Sequence, residues 1–279
     1  MPPEEIALRT ADGHEFSLRL RRPPQARSGL LFLPALGVPA SKYDGFAAAL
    51  ARRDVAVAVP DWRGTASSSL RAGRSTDWGY GQLLDQDLPA ALDALPAGPA
   101  WSLGGHSLGG QFATMLVARQ QRPCAGLVLV ATGVPHWRRY RGSQRWAIAA
   151  FAHVLPPLTR LLGHYPGERL GFAGREAGGL MRDWSRTVRR GRYEGVGGTP
   201  GLEAAMAGVH CPALGVHFEK DPLVPLSTLE LLLDRLGPGE RRIERIDDAR
   251  LGARADHFRW MREPDAVAGI VADWLPVSP

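Results

Sequence analysis

The stretch SLGGHSLGGQFA, residues 102–113, places four glycines around one His-Ser pair. Such a stretch could be a loop that cradles phosphate or a rigid turn that holds the serine. A dinucleotide-binding fingerprint needs a second glycine two residues after the first, and neither Gly104 nor Gly105 has one. A phosphate loop ends in Gly-Lys followed by Ser or Thr, whereas Gly110 is followed by Gln111. The sequence therefore argues against both phosphate-binding motifs.

The same stretch contains the pattern Gly-x-Ser-x-Gly from Gly105 to Gly109, with Ser107 at its centre. A strand is predicted before it and a helix after it, a context typical of a nucleophile elbow. The serine in such a turn has a strained backbone and an exposed hydroxyl, and a Cβ on either glycine would collide with the neighbouring strand or helix. We therefore expect Ser107 to be a nucleophile and the N–H of Leu108, at the helix N-terminus, to face a developing oxyanion.

Around this stretch, apolar strand patterns alternate with helical patterns. Continuous apolar runs such as SGLLFL, VAVAVP and LVLV predict strands that are buried on both faces, as in a parallel sheet. Strands that alternate with helices favour right-handed βαβ crossovers. At the N-terminus, two short strands flank Asp12-Gly13, a favourable hairpin pair. The sequence predicts an α/β fold with a mostly parallel central sheet and helices on both faces.

The alternation stops between about residues 133 and 208 and then resumes. The interrupting segment is helical where it is periodic, and between Arg138 and Arg192 it has twelve arginines and three acidic residues. We expect residues 1–133 and 208–279 to form one α/β core and residues 134–207 to form a helical cap inserted between two strands. Such a cap should lie over the carboxyl edge of the sheet, where open α/β sheets bind ligands.

A serine hydroxyl is a weak nucleophile and needs a base that an acid orients. With its elbow, this chain resembles the α/β-hydrolase superfamily, whose catalytic triad runs in the order Ser, Asp or Glu, His. The resemblance implies Asp221, in VHFEKDPLVP, as the acid and His257, in ARADHFRW, as the base for Ser107. Glu219, still partly on the preceding strand, is the alternative acid.

Two further stretches carry the resemblance. The stretch PALG follows the apolar strand LLFL, where the superfamily has a backbone oxyanion donor, and the register implies Leu36, with Ala35 as the alternative. The stretch DWRGTASSS is similar to the family turn Asp-x-Arg-Gly-x-Gly-x-Ser, with Ala66 in place of one glycine. Asp61 and Arg63 of this turn are expected to hold the loop near the site rather than to react.

Composition limits the possible partners. The 279 residues carry a net charge of +6, almost all of it from arginine, but no nucleic-acid motif accompanies this charge. We therefore expect no nucleic-acid partner. The two cysteines, Cys124 and Cys211, form neither a metal-binding pair nor a disulfide framework. Because the N-terminus shows no secretory signal, a cytoplasmic location is expected.

No apolar run is long enough to span a bilayer, so stable membrane insertion is not expected. The longest candidate, WAIAAFAHVLPPL at residues 146–158, is interrupted by His153 and a Pro-Pro pair. This stretch could pack within the cap or associate with a membrane surface, and cap packing is the favoured interpretation.

The leading hypothesis is a serine hydrolase that cleaves a small-molecule acyl ester without a metal or organic cofactor. The same triad would serve an acyltransferase, a thioesterase or a peptidase, and a ligand-binding sensor on this fold is a further alternative. The arginines of the cap could select anionic acyl substrates or could be solvated surface charge. The sequence leaves the acyl substrate and the oligomeric state open.

Overall fold

The computed structural model describes residues 2–120, 124–198 and 200–277. Its strands are β1 (Glu4–Arg9), β2 (Glu15–Arg21), β3 (Ser28–Leu33), β4 (Val55–Pro60), β5 (Trp101–His106), β6 (Leu127–Val130), β7 (His164–Pro166), β8 (Arg175–Ala177), β9 (Ala213–Phe218) and β10 (Arg241–Ile246). Its α-helices are α1 (Asp44–Ala51), α2 (Tyr80–Gln82), α3 (Leu88–Asp93), α4 (Leu108–Gln120), α5 (Gly142–Leu162), α6 (Gly167–Leu170), α7 (Gly178–Arg190), α8 (Leu202–Ala207), α9 (Leu226–Leu233), α10 (Asp248–Leu251) and α11 (Asp265–Trp274). Shorter 3₁₀ turns occupy Ala40–Tyr43, Trp137–Arg139, Val196–Gly198 and Arg259–Met261.

The main sheet has eight strands in the order β1-β2-β4-β3-β5-β6-β9-β10. The predicted N-terminal hairpin of β1 and β2 is present, and β2 also runs antiparallel to β4. Every other neighbouring pair is parallel. The strands β3, β4, β6 and β9 are buried along their whole length, as their continuous apolar runs require. The predicted mostly parallel α/β sheet is thus confirmed.

Helices cover both faces of the sheet because successive strand residues point to opposite sides. In β3, Leu31 and Leu33 belong to an apolar core that also contains Phe112 of α4. The intervening Phe32 belongs to a second core on the other face, with Phe46 of α1 and residues of α11. Each face therefore has its own hydrophobic core, and the sheet separates the two.

The sequence YGQLLDQDLPAALDAL predicts one helix over residues 80–95, but the structure divides it. Two short helices, α2 and α3, flank a wider π-helical turn at Leu83–Asp87. Pro89 lies in the first turn of α3, and a proline has no N–H to donate to the preceding turn. The proline therefore accounts for the change of helical pitch at this point.

The segment from 134 to 207 connects β6 to β9 and contains α5 to α8 in its described part. It also contains an antiparallel pair of three-residue strands, β7 and β8, which the sequence pattern did not predict. A strand of three residues is too short to show an alternation of apolar and polar residues.

Helix α5 continues through Pro156 and Pro157 without ending. Pro156 cannot donate to the carbonyl of Ala152 four residues earlier, and that carbonyl instead accepts a hydrogen bond from the Ser185 hydroxyl on α7. The carbonyl that Pro157 leaves free belongs to His153, which is exposed to solvent. Both carbonyls can thus be satisfied outside the helix, so the helix tolerates its two prolines.

Among the described helices, none is long and apolar enough to cross a membrane.

Candidate active site

Ser107 occupies the single residue between β5 and α4. Its φ of 55° lies in the left-handed region that L residues seldom adopt. The N–H of Ser107 donates to the carbonyl of Val130 at 3.0 Å, which ties the turn to the neighbouring strand β6. The strained backbone predicted for this serine is therefore present.

The glycines beside Ser107 are required by close backbone contacts. A Cβ on Gly105 would lie 2.4 Å from the carbonyl carbon of Gly109, and a Cβ on Gly109 would lie 2.1 Å from the carbonyl oxygen of Leu33. No side chain fits at either distance, because both obstacles are backbone atoms. The pattern Gly-x-Ser-x-Gly is thus imposed by packing of β3, β5 and α4 around the serine.

Asp221 and His257 lie on loops that follow β9 and β10, and these strands run parallel to β5 in the same sheet. The loops and the Ser107 turn consequently meet at one carboxyl edge. The His257 Nδ1 atom lies 2.7 Å from Asp221 Oδ2, and both side chains are buried. The other carboxylate oxygen of Asp221 accepts the N–H groups of Leu223 and Val224 at 2.8 and 3.1 Å.

Two other carboxylates lie near this pair in the sequence: Glu219, the alternative acid, and Asp256, which precedes His257. Glu219 is exposed to solvent at the end of β9. Asp256 accepts the N–H groups of Phe258 and Arg259 at 3.1 and 2.9 Å, so it shapes the loop that carries His257. The histidine ring is therefore held by Asp221 and not by either of these two carboxylates.

Tyr43 contributes to the site, although the sequence analysis did not find it. Its hydroxyl accepts the N–H of Ala35 at 2.8 Å and lies 2.9 Å from Nδ1 of His106. The His106 ring packs against the His257 ring with centroids 4.8 Å apart. Burial lowers the pKa of His106 well below its usual value, so this imidazole is neutral. Tyr43 and His106 thus connect the loop after β3 to the loop that carries His257.

The Tyr43 contact bears on the two alternatives for the second oxyanion donor. Because the N–H of Ala35 is already engaged by Tyr43, it is not free to bind a substrate oxygen. Leu36 lines the same cavity as Ser107 and Leu108. Of these two residues, Ala35 thus has its N–H engaged by Tyr43, and Leu36 lies at the cavity.

Ser107 opens into a cavity of about 660 Å³ between the core and the 134–207 segment. Most of its wall is apolar, and polar groups are few: Ser107, Gln111, Tyr140, Gln144, Tyr165 and Thr228. The apolar part comes largely from α5, which contributes Phe151 and Leu158, and from Leu170, Phe172 and Trp184 further along the same segment. No charged side chain belongs to the described lining, so the arginines of this segment lie elsewhere.

The 134–207 segment is anchored to the loop that carries Asp221. The hydroxyl of Tyr140 donates to the carbonyl of Leu223 at 2.8 Å, and the Gln144 amide donates to the carbonyl of Pro222. Burial raises the pKa of Tyr140, so the hydroxyl keeps its proton. The cavity wall and the carboxylate loop are thereby joined.

The turn at DWRGTASSS is structural, as its resemblance implied. Asp61 accepts the N–H of Ala40 at 2.8 Å and the hydroxyl of Ser67 at 2.7 Å. Arg63 is buried and its guanidinium binds two carboxylates, those of Asp87 and Asp12. Neither Asp61 nor Arg63 lines the cavity.

No group of three or more His, Cys, Asp or Glu side chains that could hold a metal ion occurs within residues 2–120, 124–198 and 200–277.

A sequence model of the α/β-hydrolase fold family matches residues 30–154, which include Ser107. Among solved structures, a hydrolase from Pseudomonas aeruginosa has a TM-score of 0.63 at 22% identity, and the match covers 97% of each chain. An esterase from Exiguobacterium antarcticum has a TM-score of 0.65 at 12% identity over 97% of this chain and 99% of that one. The thioesterase domain of the curacin biosynthetic pathway has a TM-score of 0.63 at 16% identity over 98% of this chain and 100% of that one.

Comparison with curated proteins gave no significant match. The family match and the similarity to solved structures agree with the topology of the sheet. The chain has the α/β-hydrolase fold, and its residues 30–154 match the sequence model of that fold family.

Proposed function

We propose that this protein is a serine hydrolase that cleaves a carboxylic ester through an acyl-enzyme on Ser107. The observation that carries the proposal is the strained Ser107 turn at the same carboxyl edge of the sheet as a buried His257–Asp221 pair, whose Nδ1 and Oδ2 atoms are 2.7 Å apart. A nucleophile on a rigid turn, with a histidine held by a carboxylate at the same sheet edge, is the arrangement that acyl transfer requires.

In this mechanism His257 accepts the proton of the Ser107 hydroxyl while its oxygen attacks the acyl carbonyl carbon. Asp221 holds the imidazole in one tautomer through Nδ1 and stabilises the imidazolium that forms. The N–H groups of Leu36 and Leu108 donate to the oxyanion of the tetrahedral intermediate. His257 then protonates the leaving alcohol, and water releases the acid and restores the free serine.

The cavity supports a proposal for the substrate class. Its apolar wall and uncharged lining suit an acyl chain of hydrocarbon character. The alternative of an anionic acyl group receives no support, because none of the arginines lines the cavity. We assign residues 134–207 as the cap that supplies most of this apolar wall.

The first test is covalent labelling of Ser107 with a fluorophosphonate probe, read by peptide mass spectrometry, alongside turnover of p-nitrophenyl esters. We expect the wild-type protein to be labelled at Ser107 and to hydrolyse the esters. In Ser107→Ala, labelling should be lost and kcat should fall by about 10⁴-fold or more. Labelling at another residue, or ester turnover by Ser107→Ala at the wild-type rate, would contradict the proposal.

A matched pair of carboxylate variants tests the acid. Asp221→Asn should lower kcat by about 10³–10⁴-fold, because the amide favours the wrong tautomer of His257. Glu219→Gln, an equally conservative change on the same loop, should leave kcat unchanged. Reversed effects would assign the acid to Glu219.

A further inference from the structure

An exposed apolar stripe runs along α5 on the surface of the cap. Trp146, Val154 and Leu161 are 64%, 55% and 70% exposed, although each is a large hydrophobic residue. With Ala150 and Pro157, which are also exposed, they recur every three or four residues and so lie on one face of the helix. Stripes of this kind are normally buried against something.

The stripe borders the opening of the substrate cavity. Val154 lines the cavity and is more than half exposed, and so is Leu170 on the neighbouring helix α6, at 56%. A side chain that faces both the cavity and the solvent marks the rim of an opening. The apolar stripe is therefore continuous with the apolar wall of the cavity.

Positive charge surrounds the Trp146 end of the stripe. Trp146 lies in a surface depression together with Arg138, Arg189 and Arg190. None of these three arginines has an acidic side chain at ion-pair distance within the described ranges. Nearer the other end, Arg160 and Arg169 are exposed next to Leu161 and Leu170, with Glu168 as the adjacent acid.

We propose that this face, Trp146, Val154, Leu161 and Leu170 with the surrounding arginines, docks on a membrane surface that contains anionic phospholipid. Tryptophan and arginine beside aliphatic side chains suit the boundary between headgroups and acyl chains. Guanidinium groups that have no acidic partner complement lipid phosphates. A second copy of the chain is a poorer partner, because two such faces would bring like charges together.

Docking would place the rim of the cavity against the lipid, so that an acyl chain enters from the membrane without crossing water. This delivery of substrate rests on the proposed ester hydrolysis, whereas the docking itself does not. The two can therefore be tested with separate measurements.

The test of docking is co-sedimentation of the purified protein with vesicles of phosphatidylcholine alone or mixed with phosphatidylglycerol. We expect the wild type to bind the mixed vesicles preferentially, and added salt to weaken the binding. The double variant Trp146→Glu, Leu161→Glu should have an affinity for the mixed vesicles that is lower by about tenfold or more. Val277→Glu alters a residue that is 56% exposed elsewhere and should bind as the wild type does.

A second pair of variants isolates the charge. Arg189→Glu with Arg190→Glu should abolish the preference for phosphatidylglycerol, whereas Arg22→Glu with Arg262→Glu changes the net charge equally on other exposed surface and should retain it. Equal binding by both pairs, or no vesicle binding by the wild type, would overturn the proposal. A change of oligomeric state in the Trp146→Glu, Leu161→Glu variant without vesicle binding would assign the face to self-association and also overturn it.

Activity measurements separate docking from catalysis. Trp146 and Leu161 do not line the cavity, so their double variant should hydrolyse a water-soluble ester at the wild-type rate. The same variant should be slower on an ester embedded in phosphatidylglycerol vesicles. Vesicle binding without any ester turnover by the wild type would leave docking in place and reject the proposed function.

Discussion

At the scale of single residues, backbone strain and close backbone contacts coincide at Ser107. In an isolated peptide the backbone of Ser107 would leave its positive φ. In the folded protein the close backbone contacts of Gly105 and Gly109 prevent that change. Ala66 also has a positive φ, 41°, where the related turn has glycine. Of the two residues, only Ser107 opens into the cavity, so only there is the strain placed at the site of the proposed chemistry.

Tyr43 gives a residue-scale prediction. Tyr43→Phe removes the hydroxyl that accepts the Ala35 N–H and contacts His106, so the loop with Leu36 loses its anchor. We expect kcat to fall by about tenfold or more while KM changes little, because the lost support acts on the oxyanion. Unfolding free energy should fall by about 1–3 kcal/mol, since polar groups are left unpaired.

The matched control is Tyr80→Phe. Tyr80 is as deeply buried as Tyr43, but its hydroxyl has no hydrogen-bond partner among the described residues. Steady-state kinetics and denaturant unfolding should therefore show wild-type values for Tyr80→Phe. Equal losses in the two variants would mean that the Tyr43 hydroxyl has no specific role.

At the scale of elements, helix α5 shows how a sequence signal for a helix end can be overridden. Two consecutive prolines in the sequence HVLPPLTRLL predict an interruption. The helix nevertheless runs from Gly142 to Leu162, and the Ser185 hydroxyl binds the carbonyl that Pro156 leaves free. An interaction between helices thus replaces a hydrogen bond within one.

Ser185 is therefore expected to stabilise α5 specifically. Ser185→Ala should lower the free energy of unfolding by about 1–2 kcal/mol, because it leaves the Ala152 carbonyl buried and unpaired. Ser143→Ala, at an exposed position in the first turn of the same helix, should change it by less than about 0.5 kcal/mol. Guanidinium titrations followed by circular dichroism would measure both. If the two variants are equally stable, the hydroxyl does not compensate for the proline.

At the scale of the whole molecule, the 134–207 segment meets the loop after β3 at a buried carboxyl group. Glu176 on β8 accepts the N–H of Gly174 at 2.9 Å, and a Cβ on Gly37, next to Leu36, would lie 2.8 Å from the same oxygen. Burial raises the pKa of Glu176 from its usual 4.5 to about 7, and the nearby Glu168 adds to this effect. The junction between the 134–207 segment and the loop after β3 therefore prefers a neutral carboxyl group.

This preference predicts how stability depends on pH. The native state keeps the Glu176 proton up to about pH 7, whereas the unfolded chain loses it near pH 4.5. Between these values the native state binds more protons, so the free energy of unfolding falls as pH rises and levels off above pH 7. The loss could reach about 3 kcal/mol. Denaturant titrations from about pH 5 to about pH 8 would measure it.

Glu176→Gln should remove this decline and be more stable than the wild type at the alkaline end. Glu168→Gln changes an exposed carboxyl on the same segment and should keep most of the wild-type dependence. A decline that persists unchanged in Glu176→Gln would show that another group causes it.

The sequence by itself determined the α/β class, the mostly parallel sheet and the serine turn. These are local properties: apolar runs of strand length, helical periodicity, and a Gly-x-Ser-x-Gly pattern between a strand and a helix. Asp221 and His257 could be selected only through a resemblance, because their positions depend on strands distant in the chain that meet at one edge.

Only the tertiary structure decided the rest. The involvement of Tyr43, its hydrogen bond with the Ala35 N–H, and the uncharged cavity depend on contacts between segments far apart in the chain. The same holds for α5, whose apolar residues divide between the cavity and the solvent according to how the helix rests on the core. Local patterns indicate which elements form, but the packing of those elements decides which side chains meet.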